Sequence, residues 1–170
     1  MSIAAVATKR EPTAADRRAF LAAHDAAVRG PAGRWQQLAR GLEAYPLYPY
    51  LEHAALVRDL DRSDAKPIVA FLAANRGTLL AEDLRTRWLR RLAQERRWAE
   101  FRDLWRPRED AGLRCAWIEA RRAQAETSAL RAEARDTWLT PRSLPPACDA
   151  VNAWLQRTGA LDDRLRWQRI

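Results

Sequence analysis

Hydrophobic positions along this 170-residue chain recur at the three- and four-residue spacing of α-helices, and the alternation of a β-strand never persists. The first such segment opens at Thr13, a favoured helix N-cap, and closes at Gly30 and Pro31, which interrupt helices. Its predicted apolar face consists of Phe20, Leu21, His24, Ala27 and Val28. The pattern therefore predicts an amphipathic helix at the start of the fold.

The rest of the chain repeats this arrangement of short helices and brief turns. A second helix is predicted over 35–42 and is ended by Pro46, and Pro49 suits the first turn of a third helix because proline lacks a backbone N–H. Further helices are centred on 68–72, 80–92, 98–105, Trp117, 130–138 and 151–155, and a last one starts near Asp162. About ten short antiparallel helices predict an all-α fold, a right-handed α-superhelix or solenoid of helical hairpins. We expect a flexible tail over 1–12 and one α-superhelical domain over 13–170.

The segment EAYPLYPYLEH, residues 43–53, places Tyr45, Pro46, Tyr48, Pro49 and Tyr50 between two predicted helices. The prolines restrict the backbone and favour a stiff corner between helices, with the tyrosine rings packed inside it. A platform on which a sugar or base stacks is the alternative. We favour the corner, and we interpret most of the eight tryptophans, which fall on predicted apolar faces, as packing residues too.

The two cysteines, Cys115 and Cys148, lie 33 residues apart, which is close to the length of one helical hairpin repeat. Equivalent helices of successive repeats would bring them side by side, so the spacing fits a disulfide and fits two buried free thiols equally well. A disulfide would indicate an oxidising compartment. Because there is neither a CxxC motif nor a Cys/His cluster, the sequence predicts no metal site and no cofactor.

The formal net charge of +8 invites a nucleic-acid or polyanion partner, but only two of the thirty basic residues are lysines. Such a bias also follows from the codon usage of a GC-rich genome, and most arginines alternate with acids. The least compensated stretch holds Arg85, Arg87, Arg90, Arg91, Arg96 and Arg97. It is either a solvated helix face, which we favour, or an anion-binding surface. No nucleic-acid reading motif accompanies the charge, so we predict no nucleic-acid partner.

Catalytic signatures are nearly absent. His24 and His53 are interpreted as packing or surface histidines, no serine lies in a nucleophile elbow, and no glycine loop could hold a phosphate. The paired acids 82–83, 109–110 and 162–163 lie near predicted helix starts, where carboxylates interact favourably with the helix dipole. No apolar run reaches the roughly 18 residues of a membrane span, and no secretion signal is visible. A trimmed chain would also lack that signal.

Several short strings together resemble the N-terminal superhelical (U-type) domain of soluble lytic murein transglycosylases. They are YPLYPYLE at Tyr45–Glu52, WLT at Trp138–Thr140, PPACD at Pro145–Asp149 and the closing WQRI. The pair Cys115 and Cys148 fits as well, since members of that family can carry a disulfide between the corresponding helices. The resemblance extends from about residue 18 to residue 170.

The resemblance implies a role in peptidoglycan cleavage at the bond between N-acetylmuramic acid and N-acetylglucosamine, with 1,6-anhydromuramoyl products. The family places this chemistry in a separate lysozyme-like domain with a glutamate in an E-S motif, and this chain has no such motif. We therefore expect a non-catalytic scaffold, part of a ring of helices, that is periplasmic, contacts murein and is inactive alone. No catalytic residue is assigned. The alternative is a free-standing helical-repeat adaptor for a protein partner, and a nucleic-acid binder comes third.

Overall fold

The computed structural model describes residues 11–140 and 142–161, and every regular element within these ranges is helical. The α-helices are α1 (Ala14–Arg29), α2 (Arg34–Leu38), α3 (Tyr48–Arg58), α4 (Ala65–Ala74), α5 (Leu79–Gln94), α6 (Trp98–Leu104), α7 (Ala111–Arg122), α8 (Ser128–Trp138) and α9 (Asp149–Arg157). Two short 3₁₀ segments, Leu60–Arg62 and Pro146–Cys148, precede α4 and α9. The predicted all-α fold class is confirmed. The last helix predicted near Asp162 lies outside the described residues.

Several helices begin at caps that the sequence encodes. Thr13 Oγ accepts a hydrogen bond from Asp16 N–H (3.1 Å), and the Asp16 carboxylate accepts one from Thr13 N–H (2.8 Å), which is a reciprocal capping box. Asp110 and Thr127 cap α7 and α8 by accepting from the backbone N–H three residues later. Each cap stabilises its helix by about 1 kcal/mol, so these starts are defined locally.

The connection between α2 and α3 differs from the prediction. Since α2 ends at Leu38, the expected helix that reaches Leu42 and is ended by Pro46 was wrong. Gly41 has a φ of 81°, which a right-handed helix does not contain, and three consecutive turns carry the backbone from residue 39 to residue 48. The prediction for Pro49 is confirmed, because it lies in the first turn of α3.

The chain divides into two compact units, one up to Arg87 and one from Trp88 onward, with the division inside α5. Each unit has its own helix packing and is described here by itself. The single superhelical domain expected over 13–170 stays a prediction.

In the first unit, α1 packs against α2 and α3 through small side chains. Ala23, Ala26 and Ala27 are buried, whereas Leu21 and Val28 are 66% and 42% exposed, so the predicted apolar face was wrong at those two positions. Alanines allow the helix backbones to approach closely, and this geometry selects the alanine face of α1 over its larger residues. The other buried members of this core are Trp35, Ala39, Leu42, Leu51 and Ala55.

The second unit has a core around the two cysteines. Its buried members come from α7, α8, α9 and the segments directly before and after α9: Cys115, Ile118, Leu130, Ala134, Cys148, Val151, Trp154, Leu155 and Leu161. Burial of each large apolar side chain stabilises the fold by about 1.5–3 kcal/mol. This core therefore holds the three helices together on the side where the cysteines meet.

Aromatic rings connect α6 to α7 in the same unit. Phe101 is fully buried and contacts Trp98 edge-on, with ring centroids 6.1 Å apart. The Phe101 ring also stacks on Trp105 (5.7 Å), and Trp105 stacks on Trp117 of α7 (5.2 Å). These contacts agree with the interpretation of the tryptophans as packing residues.

Candidate functional site

The tyrosine and proline segment lies against the first-unit core. The ring of Tyr45 packs on Phe20 with centroids 5.3 Å apart, and the ring of Tyr48 packs on Trp35 at 6.1 Å. Tyr50 is different, because 47% of its surface is exposed. Two of the three tyrosine rings are thus engaged within the unit, as a corner between helices requires, and the third ring faces solvent.

A cleft of about 510 Å³ opens beside this corner. One face of α3 and one face of α4 line it, each at i, i+3, i+4, i+7 spacing: Glu52, Ala55, Leu56 and Asp59 from α3 and its C-cap, and Pro67, Ala70, Phe71 and Ala74 from α4. Trp35 and Gln36 of α2 complete the walls. The volume falls within the range of about 300–1,000 Å³ that is usual for ligand clefts.

Glu52 is the residue with unusual electrostatics in this cleft. Its side chain is half-buried, and burial raises the pKa of its carboxyl group above the ordinary value. The pKa of Tyr48 is raised as well, first by burial and then by the negative charges of Glu52 and Glu43. Among the described residues, Glu52 forms no hydrogen bond or ion pair. Its charge is therefore uncompensated within the part of the chain that the structure describes.

Arg58 also lines the cleft, but its donors are already used. Its guanidinium donates to the Asp59 carboxylate through Nε (3.1 Å) and Nη2 (2.5 Å), and its Nη1 donates to the backbone carbonyls of Ala26 (3.1 Å) and Gly30 (2.9 Å). The pKa of Asp59 is lowered, mainly by the hydrogen bond from Arg58. Arg58 thus ties the end of α3 to the end of α1.

His53 lies on α3 next to Glu52 and has a structural contact. Its Nε2 is 2.9 Å from Asp83 Oδ2, and its ring packs near Phe71 with centroids 6.1 Å apart. The pKa of Asp83 is lowered, chiefly by a hydrogen bond from Arg87 Nε (2.7 Å). The contact between His53 and Asp83 connects α3 to α5. It therefore supports the interpretation of His53 as a packing residue.

The six arginines that the sequence singled out fall in both units and are mostly paired. In the first unit, Arg85 is only 5% exposed and bonds Glu82 (3.4 Å), and Arg87 bonds Asp83. These two are compensated on their own helix. Of the two interpretations of this arginine stretch, the solvated helix face fits Arg87, which is exposed and paired, whereas Arg85 is buried.

In the second unit, Arg91 bonds Glu95 (2.7 Å), and Arg97 bonds both Glu95 (3.0 Å) and Glu100 (2.6 Å). Arg91 and Arg97 also lie over the ring of buried Trp88, at 5.2 and 5.4 Å from its centroid. Both side chains therefore take part in packing and pairing within the unit.

Arg90 and Arg96, the two remaining arginines of the set, line a groove of about 980 Å³ in the second unit. Small residues of α7 and of 145–150 contribute much of the lining, including Gly112, whose missing Cβ would lie 3.5 Å from Pro145. Trp98 is half-buried at its edge. The groove thus combines an apolar floor with a polar rim.

The rim charges of this groove differ in how far they are paired. Arg90 Nη2 donates to Asp110 Oδ2 (2.7 Å), and its side chain stays 57% exposed. Burial acts to raise the pKa of Asp110, but the hydrogen bonds from Leu113 N–H and Arg90 lower it overall. Arg96 is exposed at a left-handed backbone position with a φ of 56°, and it makes no ion pair with any described residue.

Cys115 and Cys148 form a disulfide, with Cα atoms 5.1 Å apart. Both residues are buried, and the bridge joins α7 to the 3₁₀ segment before α9. The predicted pairing is present, and the free-thiol alternative does not apply. The neighbouring residues Ala116 and Ala147 line the groove, so the bridge supports two of its walls.

Two residues of these sites, Glu52 and Asp110, were not identified as site residues from the sequence. Glu52 was noted only as the last letter of YPLYPYLE, and Asp110 only as part of an acidic pair. The position of Asp110, three residues before an apolar helix position, is the signal of a cap and could have marked it. No local signal distinguishes Glu52, because its lack of a cationic partner depends on how three helices pack.

The described ranges contain no group of three or more histidine, cysteine, aspartate or glutamate side chains that could hold a metal ion. None of the helices in the described part of the chain is both long and apolar enough to cross a membrane.

Comparison with known proteins relates the chain to one group of enzymes, although no protein-family model matches it. It is 32% identical over 138 residues to a soluble lytic murein transglycosylase of Salmonella typhimurium, and 30% identical over 138 residues to the Escherichia coli K12 protein of that name. Each alignment covers 79% of this chain and 21% of the relative. The chain thus spans about a fifth of the length of these relatives.

Solved structures agree with this relationship. The 70-kDa soluble lytic transglycosylase of Escherichia coli superposes with a TM-score of 0.79 at 26% identity, over 91% of this chain and 25% of that protein. An inactive mutant of the lytic transglycosylase Slt from Pseudomonas aeruginosa gives a TM-score of 0.82 at 27% identity, over 90% of this chain and 25% of that protein. Similarity in sequence and in fold therefore covers most of the chain.

Proposed function

Because this chain is a homologue of one segment of the soluble lytic murein transglycosylases, we propose that it is a non-catalytic helical scaffold of a peptidoglycan lytic transglycosylase. The observation that carries the proposal is the combined likeness in sequence and fold over most of the chain. In the whole enzyme, the scaffold would position a lysozyme-like domain on murein in the periplasm. The disulfide supports the periplasmic location, since such bonds persist in oxidising compartments.

The test of this function is an activity assay with a positive control. The purified chain is incubated with murein sacculi, and the soluble products are analysed by mass spectrometry for 1,6-anhydromuropeptides. We expect no release from this chain, while a complete lytic transglycosylase releases them under the same conditions. Release that persists through repurification would contradict a scaffold role.

Murein contact is proposed for the groove of the second unit. Of the six arginines, only Arg90 and Arg96 line this groove. Arg96 makes no ion pair with a described residue, and Arg90, although it pairs with Asp110, keeps 57% of its side chain exposed, so both can meet the carboxylates of peptidoglycan stem peptides. Attraction between exposed charges is screened by salt, so binding to sacculi should weaken at high ionic strength.

A matched pair of double variants tests this contact. R90A/R96A should reduce sedimentation of the chain with sacculi at low salt. R131A/R157A removes the same charge from exposed positions on α8 and α9 and should leave binding unchanged. Equal binding by both variants, or binding that is indifferent to salt, would refute a specific contact at the groove.

The second candidate function is a helical-repeat adaptor, and the 980 Å³ groove is the observation that favours it. Such a groove fits a protein segment as well as a glycan peptide. A reading frame that encodes a lysozyme-like domain together with this chain would favour the scaffold. A stable complex with a defined protein and no affinity for sacculi would favour the adaptor.

A further inference from the structure

Glu52 is an exception in a strongly basic chain. The sequence holds thirty lysine and arginine residues against twenty-two acids, yet no described basic side chain pairs with this half-buried carboxylate. A carboxylate that is partly removed from water without a partner carries a free-energy cost, as the raised pKa of Glu52 indicates. A ligand cation in the cleft would remove this cost.

The other charged groups of the cleft do not supply that cation. Arg58 and Asp59 compensate each other, and the remaining donors of Arg58 are taken by backbone carbonyls of Ala26 and Gly30. Asp59 also pairs with Arg62 (3.2 Å), an exposed residue that does not line the cleft. The charge without a partner among the lining residues is therefore the negative charge of Glu52. It favours a positively charged ligand over an anion or a neutral sugar.

The shape and chemistry of the walls narrow the class of cation. Ala55, Ala70 and Ala74 leave room between α3 and α4, and the aromatic rings of Trp35 and Phe71 border the same space. Such walls suit an aliphatic chain, and aromatic rings tolerate a nearby ammonium group. A metal ion would find only one unpaired carboxylate, that of Glu52, because the Asp59 carboxylate is already held by Arg58, and this does not meet its need for several oxygen ligands.

We propose that this cleft binds a lysine-type side chain of a peptide, with the aliphatic stem between α3 and α4 and the primary ammonium group on the carboxylate of Glu52. The inference does not rest on the proposed scaffold function. Two sources offer the same chemistry: the diamino acid of a peptidoglycan stem peptide and a lysine in a protein segment.

The experiment is calorimetric titration of the full chain with three probes. The first is a blocked Ala-Lys-Ala tripeptide, the second is the same peptide with norleucine in place of lysine, and the third is a muropeptide with its side-chain amine either free or acetylated. We expect saturable binding only of probes with a free amine. Preference for the muropeptide assigns the site to stem peptides, and preference for the tripeptide assigns it to protein segments. Binding of neither free-amine probe overturns the proposal.

Two variants locate the binding. E52Q keeps the size of the side chain and removes its charge, and we expect affinity for the free-amine probe to fall at least about tenfold, as for loss of a charged hydrogen bond. E43Q makes the same charge change on a nearby exposed carboxylate that does not line the cleft, and it should bind as the unmodified chain does. Equal losses in both variants would show attraction by general charge and refute the site.

Thermal unfolding of E52Q separates lost binding from lost folding. Because burial disfavours the charged form of Glu52, the neutral variant should be at least as stable as the unmodified chain near neutral pH. A variant that is stable and does not bind supports the proposal. If E52Q binds the amine probe with unchanged affinity, or if the norleucine peptide binds equally well, the proposal is wrong.

Discussion

Reduction of the disulfide should destabilise the second unit by a predictable amount. The bridge joins Cys115 to Cys148 across 33 residues, and both residues are buried in the core formed by α7, α8 and α9. In the chain-entropy description, closing a loop of this length restricts the unfolded chain and stabilises the fold by about 3.7 kcal/mol near room temperature. Since domains are stable by about 5–15 kcal/mol, the loss should be large.

The assay is urea unfolding of oxidised and reduced chain, followed by circular dichroism and tryptophan fluorescence. The reduced sample is unfolded in urea with a phosphine reductant and then refolded in its presence, so that the buried bridge is opened. The free energy of unfolding should fall by about 3–4 kcal/mol. The double variant C115A/C148A is the control, and its unfolding should not respond to the reductant.

Thiol counting connects this result to the fold. Under denaturing conditions without reductant, an alkylating agent should label neither cysteine, and after reduction it should label both. If reduction changes the free energy of unfolding by less than about 1 kcal/mol, closure of this loop is not what stabilises the second unit. If the oxidised chain is labelled, the pairing itself is wrong.

Three further substitutions test other contacts. Asp83→Asn removes a carboxylate whose pKa is lowered chiefly by an arginine hydrogen bond. Such a group stabilises above its unfolded pKa, so urea unfolding should show a loss of up to about 1 kcal/mol near pH 7 that disappears as the pH falls below about 4; a constant loss would contradict this. Phe101→Ala should cost about 3–5 kcal/mol, because this ring is fully buried between aromatic neighbours, and a loss below about 1 kcal/mol would refute that packing. Tyr48→Ala should lower stability by more than about 1 kcal/mol and Tyr50→Ala by less than about 0.5 kcal/mol, and equal losses would argue against the corner.

Local signals in the sequence were sufficient for the all-helical class and for the position of most helices. The N-cap at Thr13, the proline in the first turn of α3 and the spacing of apolar residues all act within a few positions of one another. For the same reason, the all-helical fold class could be predicted without knowing which helices pack against one another. The end of α2 was missed because Gly41 adopts a left-handed conformation that the apolar spacing concealed.

Pairing across long stretches of chain was less predictable. The arginine stretch looked uncompensated because its acids were counted only within the stretch, whereas Arg90 pairs with Asp110, twenty residues away. Likewise, α1 turned its alanines inward and left Leu21 exposed. In both cases the outcome depends on which helices come together, and hydrophobic spacing on one helix does not contain that information.

The sequence by itself determined that this protein is helical, where most of its helices begin, and that two cysteines lie one hairpin repeat apart. Only the tertiary structure decided that those cysteines are bonded, that most of the singled-out arginines are paired, and that Glu52 has no cation beside it among the described residues. The physical reason is range: caps and helical spacing act between near neighbours in the chain. The compensation of a charge, by contrast, is settled by whichever side chains the packing of separate helices brings within a few ångströms.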